Sequence, residues 1–125
     1  MPATTTGQQY DKRHAYTAVA IAVIAANRFV GLDGAHATSA GGVHDSGGIS
    51  ENAAAVGEAF PVVDSWSYLV ESSEAIAAGD YLKPAADGSG RAAVGTATVH
   101  CARALGTASA AGQLVEARIV THRNA

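Results

Sequence analysis

The sequence is short of several residue types, and each shortage excludes a class of protein. Its single cysteine, Cys101, rules out an intrachain disulfide and a cysteine-based metal framework. The 8 Lys and Arg residues are outnumbered by 11 Asp and Glu, which leaves no basic stripe for nucleic acid and no polybasic patch for a membrane. The apolar run over residues 15–26 is shorter than the roughly 20 residues that cross a bilayer. We therefore expect neither nucleic acid nor a membrane as a partner.

Large apolar side chains are also scarce. Hydrophobic residues make up 48% of the 125 residues, but 29 residues are alanine. Burial of apolar surface contributes roughly 25 cal/mol per Å², and alanine buries little of it. A chain of this length forms one domain. We expect a thin core that is marginal in a lone copy and gains stability by association.

The chain is organised around a short alanine-rich stretch that ends in a residue suited to a left-handed backbone. Its clearest copy is Ile76-Ala77-Ala78-Gly79, and a β-prone run follows from Tyr81. Glycine reaches positive φ without steric cost and asparagine is the next most tolerant residue, so the fourth position suits a turn between two strands. The other copies are Ile24-Ala25-Ala26-Asn27, Ala54-Ala55-Val56-Gly57 and Ser109-Ala110-Ala111-Gly112.

The spacing of these copies indicates the fold class. Their fourth positions are 30, 22 and 33 residues apart, which is too uneven for a solenoid of fixed period. A compact all-β domain whose hairpins reuse one turn agrees better with this spacing. The sequence therefore predicts a small single-domain β-barrel or β-sandwich with an extended N-terminal arm.

Alternation over residues 15–26 predicts one further strand. Val19, Ile21 and Val23 share one face, and the alanines between them share the other. We expect this strand to be packed on both sides, because the alanine face allows close approach of another layer.

Residues 1–14 are polar and aperiodic, which predicts an extended arm ahead of a β-rich domain at 15–125. Terminal segments are ordered only when something holds them, and we expect the arm to lie on a neighbouring subunit. The arm residues that we expect at this interface are Thr4, Thr5, Thr6, Gln8, Gln9 and Tyr10.

Trp66 and Tyr68 share one face of a predicted strand over residues 60–71. They form either a core or edge aromatic pair or a pair of interface anchors, because Trp and Tyr are enriched at interfaces. Asp64 on the same face favours partial exposure. We include both aromatic residues among the expected interface residues.

A glycine-rich loop holds the residue types of a hydrolytic triad or a metal site. Triads are assembled from distant chain positions, and no nucleophile-elbow pattern surrounds the serine. Cys101 lies in an alternating run, which predicts a small buried thiol, and His100 points to the opposite face of that strand. We predict a chain that is not an enzyme, without catalytic, cofactor-binding or metal-binding residues. The loop residues are His36, His44, Asp45 and Ser46.

Several motifs carry a resemblance to a known family. Residues 42–121 resemble the small capsid decoration, or cement, proteins of tailed bacteriophages, in which a glycine-started strand, an Asp/Gly turn and two further alanine-glycine segments follow in order. The matching stretches are Gly42-Val43 with residues 52–58, Ala77-Ala78-Gly79-Asp80-Tyr81-Leu82, Asp87-Gly88-Ser89-Gly90-Arg91, Ala104-Leu105-Gly106-Thr107-Ala108 and Ala110-Ala111-Gly112.

The resemblance implies a structural virion protein. Such a protein binds the outer surface of the assembled phage head, stabilises the lattice of the major capsid protein and has no chemistry of its own. The implied partners are the major capsid protein and further copies of the chain, with a trimer as the expected assembly.

Two other functions stay open at this point. One is a small hydrolase or metal-dependent enzyme that uses the loop with His36, His44, Asp45 and Ser46. The other is a generic β-rich module that binds a sugar or peptide on Trp66 and Tyr68.

Overall fold

A computed structural model describes residues 10–38 and 45–124, and these residues form strands and turns without a helix. The all-β prediction is confirmed. In this part of the chain no helix is long and apolar enough to cross a membrane. The strands are β1 (Lys12–Val19), β2 (Phe29–Gly31), β3 (Ser46–Ser50), β4 (Ala59–Glu71), β5 (Tyr81–Pro84), β6 (Ala92–Val94), β7 (Val99–Ala104) and β8 (Leu114–Asn124).

The strands of the described residues build one nearly closed antiparallel β-barrel. Neighbouring strands follow the order β2-β3-β4-β8-β7-β5-β6, and β1 pairs with β4. Two backbone hydrogen bonds nearly close this order, one from β2 to the turn before β6 and one from the segment after β4 to β6. The Phe29 N–H donates to the Gly90 carbonyl at 2.7 Å, and the Ser73 N–H donates to the Ala92 carbonyl at 2.8 Å. Of the two predicted architectures, the fold is therefore the barrel.

The alanine-rich turns behave as the sequence predicts. Asn27, Gly57, Gly79 and Gly112 have φ angles of 62°, 88°, 91° and 85°, so each fourth position adopts the left-handed conformation. The strands β2, β4, β5 and β8 each begin two residues later. One turn type therefore starts half of the strands in the described residues.

These four turns pair two by two. Ile24 and Ala54 exchange backbone hydrogen bonds of 2.9 and 3.0 Å, which joins the first turn to the second. Ile76 and Ala108 exchange bonds of 2.8 and 2.9 Å in the same way, which joins the third turn to the fourth. The hydrogen-bonding pattern is thus repeated along the chain.

The repetition extends to whole strands and divides the barrel into a first half (residues 12–66) and a second half (residues 67–124). Strand β4 serves both, because it pairs with β1 and β3 up to Trp66 and with β8 from Ser67. Trp66 has a φ of 66°, which interrupts the extended backbone conformation within β4 at this junction. The Val19–Ala59 pair of the first half corresponds to the Glu71–Leu114 pair of the second half. In the same way, Phe29–Ile49 corresponds to Tyr81–Arg103, and Val30–Gly48 corresponds to Leu82–Ala102.

The buried core follows the two halves. One cluster belongs to the first half alone, whereas the other joins the second half to Phe29, Ala37 and Ile49 of the first. Among the described residues, 9 of the 22 buried apolar residues are alanine, so the core is as rich in alanine as the composition predicts. The first-half cluster consists of Ala20, Ile24, Val30, Ala54, Phe60 and Val62.

The prediction of one strand over residues 15–26 is wrong. Strand β1 ends at Val19, because Ile24 is needed in the paired turn with Ala54. Ala20 and Ile24 are buried, and Ile21 and Val23 are exposed instead of packed. Residues 1–9 of the predicted arm lie outside the described residues, and residues 12–14 belong to β1.

We expect Gly79→Ala to destabilise the protein by about 1 kcal/mol, because alanine is strained in the left-handed conformation. An added Cβ at Gly79 has no atom within 4 Å, so the cost is conformational and not steric. Gly79→Asn, the residue type found at position 27, is the matched control and should cost less. Urea unfolding measures both changes. Equal stability of the alanine variant and the parent would contradict this account of the turn.

Candidate interface

Of the residues expected at an interface, the structure brings Tyr10 and Tyr68 together. Their ring centroids lie 4.8 Å apart with the planes at 70°, which is an edge-to-face contact. The Asp11 N–H also donates to the Ser67 hydroxyl at 2.8 Å, which holds the chain beside β4. The remaining arm residues, Thr4, Thr5, Thr6, Gln8 and Gln9, lie outside the described residues.

Trp66 is exposed at the junction of the two halves. Its positive φ interrupts the alternation of β4, so Trp66 and Tyr68 do not form the aromatic pair that strict alternation predicts. Two guanidinium groups instead lie near the Trp66 ring, the Arg118 group 4.6 Å and the Arg13 group 5.8 Å from its centroid. Both distances fall within the range of cation–π attraction.

Ion pairs fix the beginning of β1 beside this tryptophan. Arg13 donates to both carboxylate oxygens of Asp11 at 3.0 and 2.7 Å, and Lys12 pairs with Glu51 at 2.7 Å. The hydrogen bond from Arg13 lowers the pKa of Asp11, and the bond to Glu51 raises the pKa of Lys12. These groups are largely exposed, so each pair adds little stability.

The sequence reasoning missed an apolar patch at one end of the first half. Its five side chains are between 57% and 72% exposed. Single exposed apolar residues are common on protein surfaces, but a group of them is unusual. Backbone hydrogen bonds join the segments that carry them: the Ile21 N–H donates to the Gly34 carbonyl, and the Gly57 N–H donates to the Ala20 carbonyl. The patch consists of Val19, Ile21, Val23, Leu32 and Val56.

The duplicated fold shows that the barrel does not require this patch. The second-half positions equivalent to Val19, Ile21 and Val23 are Glu71, Ser73 and Ala75. The equivalence of these positions follows because Glu71 pairs with Leu114 in the second half as Val19 pairs with Ala59 in the first half. The same backbone therefore forms with polar or small residues at these positions. The alternating valines and isoleucine were the available sequence signal, but they equally suit a buried strand.

The loop residues considered for catalysis have separate hydrogen-bond partners. The His36 ring nitrogen accepts from the Ala25 N–H at 3.1 Å, and burial together with Arg28 lowers the pKa of His36. The Ser46 hydroxyl bonds both to the carbonyl and to the N–H of Gly48, at 3.3 and 3.2 Å. Residues 39–44, which include His44, lie outside the described residues. Within residues 10–38 and 45–124, no group of three His, Cys, Asp or Glu side chains is arranged to hold a metal.

Cys101 is buried in β7, as the sequence predicts. Burial raises the pKa of the thiol to about 12. Only a thiolate is an effective nucleophile, so the side chain is a packing residue at neutral pH.

Comparison with known proteins adds one likeness in structure. No protein-family model matches the sequence, and a search of curated proteins finds no match either. Among solved structures, the chain is similar to the head fiber gp8.5 N base of bacteriophage phi29, with a TM-score of 0.61 and 20% sequence identity. The match covers 88% of this chain and 96% of that chain. At this identity the likeness shows a shared fold.

We expect Cys101 to resist a thiol reagent in the native protein at pH 8 and to react fully in denaturant. With a pKa of about 12, its native thiolate fraction is about one in ten thousand at that pH. Because the native pKa lies above the reference value of 9.0, the free energy of unfolding falls as the pH rises from 9 to 12. The Cys101→Ala variant, unfolded over the same pH range, is the control for this pH dependence of the free energy of unfolding. Rapid labelling of the native parent would contradict the buried assignment.

Proposed function

We propose that this chain is a structural virion protein that binds the outer surface of the assembled phage head and stabilises the lattice of the major capsid protein. The observation that carries the proposal is the likeness in fold to the base of a phage head fibre, over 96% of that base. The resemblance of residues 42–121 to the capsid decoration proteins supports the same role. The function requires binding and no catalysis.

The physical basis of stabilisation is linkage. A protein that binds the mature lattice better than the separated capsid subunits shifts the equilibrium towards the lattice by its binding free energy. Many copies on one shell multiply a modest contribution from each. The alanine-rich core of the barrel agrees with a chain that gains stability by docking.

The contact surface that we propose combines the arm with the aromatic residues on β4. Tyr10, which follows residues 1–9 in the sequence, packs on Tyr68. Trp66 is exposed next to it and offers a large rigid contact area. The apolar patch of the first half supports association with further surfaces, including other copies of the chain in a trimer.

Added to purified mature heads that lack it, the protein should co-sediment up to a saturating level and raise the temperature at which the heads disrupt. Binding to the lattice but not to separated subunits produces both effects. Unassembled major capsid protein is the control and should bind more weakly. The proposal fails if the protein stays in the supernatant at every concentration tested.

Deletion of residues 2–9 should weaken head binding by about tenfold while the melting temperature of the barrel stays unchanged. The deletion removes the proposed arm contacts and leaves β1 intact, and a loss of about 1.4 kcal/mol corresponds to tenfold in affinity. A variant with residues 2–9 replaced by a Gly/Ser sequence of equal length separates specific contacts from length. Saturation of heads by the deletion variant at the parent's concentration would show that the arm makes no contact.

A further inference from the structure

The duplication places two equivalent rows of side chains on the barrel. In the first half, Phe29 pairs with Ile49 and Ile49 with Val63, across β2, β3 and β4. All three side chains have no exposed surface. Phe29 and Ile49 are covered because they pack into the core cluster of the second half. The first row is thus covered by polypeptide of the same chain.

The second row has the same pairing and a different composition. Tyr81 pairs with Arg103 and Arg103 with Arg118, across β5, β7 and β8. Both arginines are exposed. The row opens onto a groove of about 620 Å³, which we call the arginine groove. Its lining includes Tyr81, His100, Arg103, Leu105, Arg118 and Val120.

Aromatic rings hold both guanidinium groups in place. The Arg103 group lies 4.2 Å from the centroid of the Tyr81 ring, and its Nε donates to the Gly79 carbonyl at 2.7 Å. The Arg118 group lies 4.6 Å from the centroid of Trp66. Arginines restrained in this way lose little freedom when they bind a ligand.

Within residues 10–38 and 45–124, the two arginines of the groove also have no carboxylate partner. Arg13, Arg28 and Arg91 each pair with a carboxylate, whereas Arg103 and Arg118 make no ion pair with any carboxylate of the described residues. Like charges directly opposite each other on neighbouring strands destabilise a sheet. The barrel does not need them, because the equivalent first-half residues are Ile49 and Val63.

We propose that the arginine groove binds an acidic segment, a loop or terminus bearing Asp or Glu, on a different protein. The equivalent first row is covered by packed polypeptide, and the two guanidinium groups, which pair with no carboxylate within the described residues, select carboxylates. The inference rests on the proposed function for the identity of that protein, which is then the capsid protein. It deepens that function by naming the surface and the chemistry of the contact.

The test compares Arg103→Gln, Arg118→Gln and the double variant with the parent. Lys83→Gln is the matched control, because it removes one positive charge from β5 outside the groove. Two probes are used, purified mature heads in co-sedimentation and a hexaglutamate peptide followed by the fluorescence of Trp66, the single tryptophan. Hexaserine is the peptide control, and circular dichroism checks that each variant is folded.

Each Arg→Gln change should weaken the binding of heads and of hexaglutamate by about tenfold, because a charge-assisted hydrogen bond is lost. Lys83→Gln should stay within about twofold of the parent, and hexaserine should not bind. Added salt should weaken parent binding to both probes.

The outcomes separate the two proposals. Full head binding by the double variant overturns the proposal that the arginine groove is the binding site and leaves the proposed function standing. Arginine-dependent binding of hexaglutamate by a parent that ignores heads supports the groove and overturns the proposed function. If sedimentation velocity shows an oligomeric parent that the double variant converts to monomers, the occupant is a second copy and the assignment to a different protein is wrong.

Discussion

The fold depends on one local constraint, the left-handed residue that ends each alanine-rich turn. Gly57 and Gly112 turn the chain so that their N–H groups reach the carbonyls of Ala20 and Ser72, and these bonds clamp one turn against its partner. Two such clamps set the register of every strand pair beside them. The barrel is therefore two copies of one arrangement that share β4.

The sequence predicted the local features well and the long-range ones poorly. The turns, the all-β class and the buried Cys101 follow from residue chemistry near each position. The duplication was hidden because the shared strand β4 makes the spacing of the turns uneven. The exposure of Trp66 could not be inferred, because its positive φ interrupts the alternation that the sequence pattern predicts for β4. Periodicity in residues 15–26 suggested burial, which only tertiary packing decides.

The two halves share a backbone and differ in what they expose. The first half buries the row of Phe29, Ile49 and Val63 and exposes an apolar patch, whereas the second half exposes its arginines. Because each half is a structural control for the other, neither surface is a requirement of the fold. Surfaces of this kind are available for binding.

Electron cryomicroscopy of heads with and without the added protein tests whether the barrel docks on the outside of the shell. We expect additional density on the outer surface of the shell that fits this barrel, with its aromatic and arginine residues turned towards the capsid protein. Heads that show no added density after incubation at saturating concentration, or density only inside the shell, would contradict it.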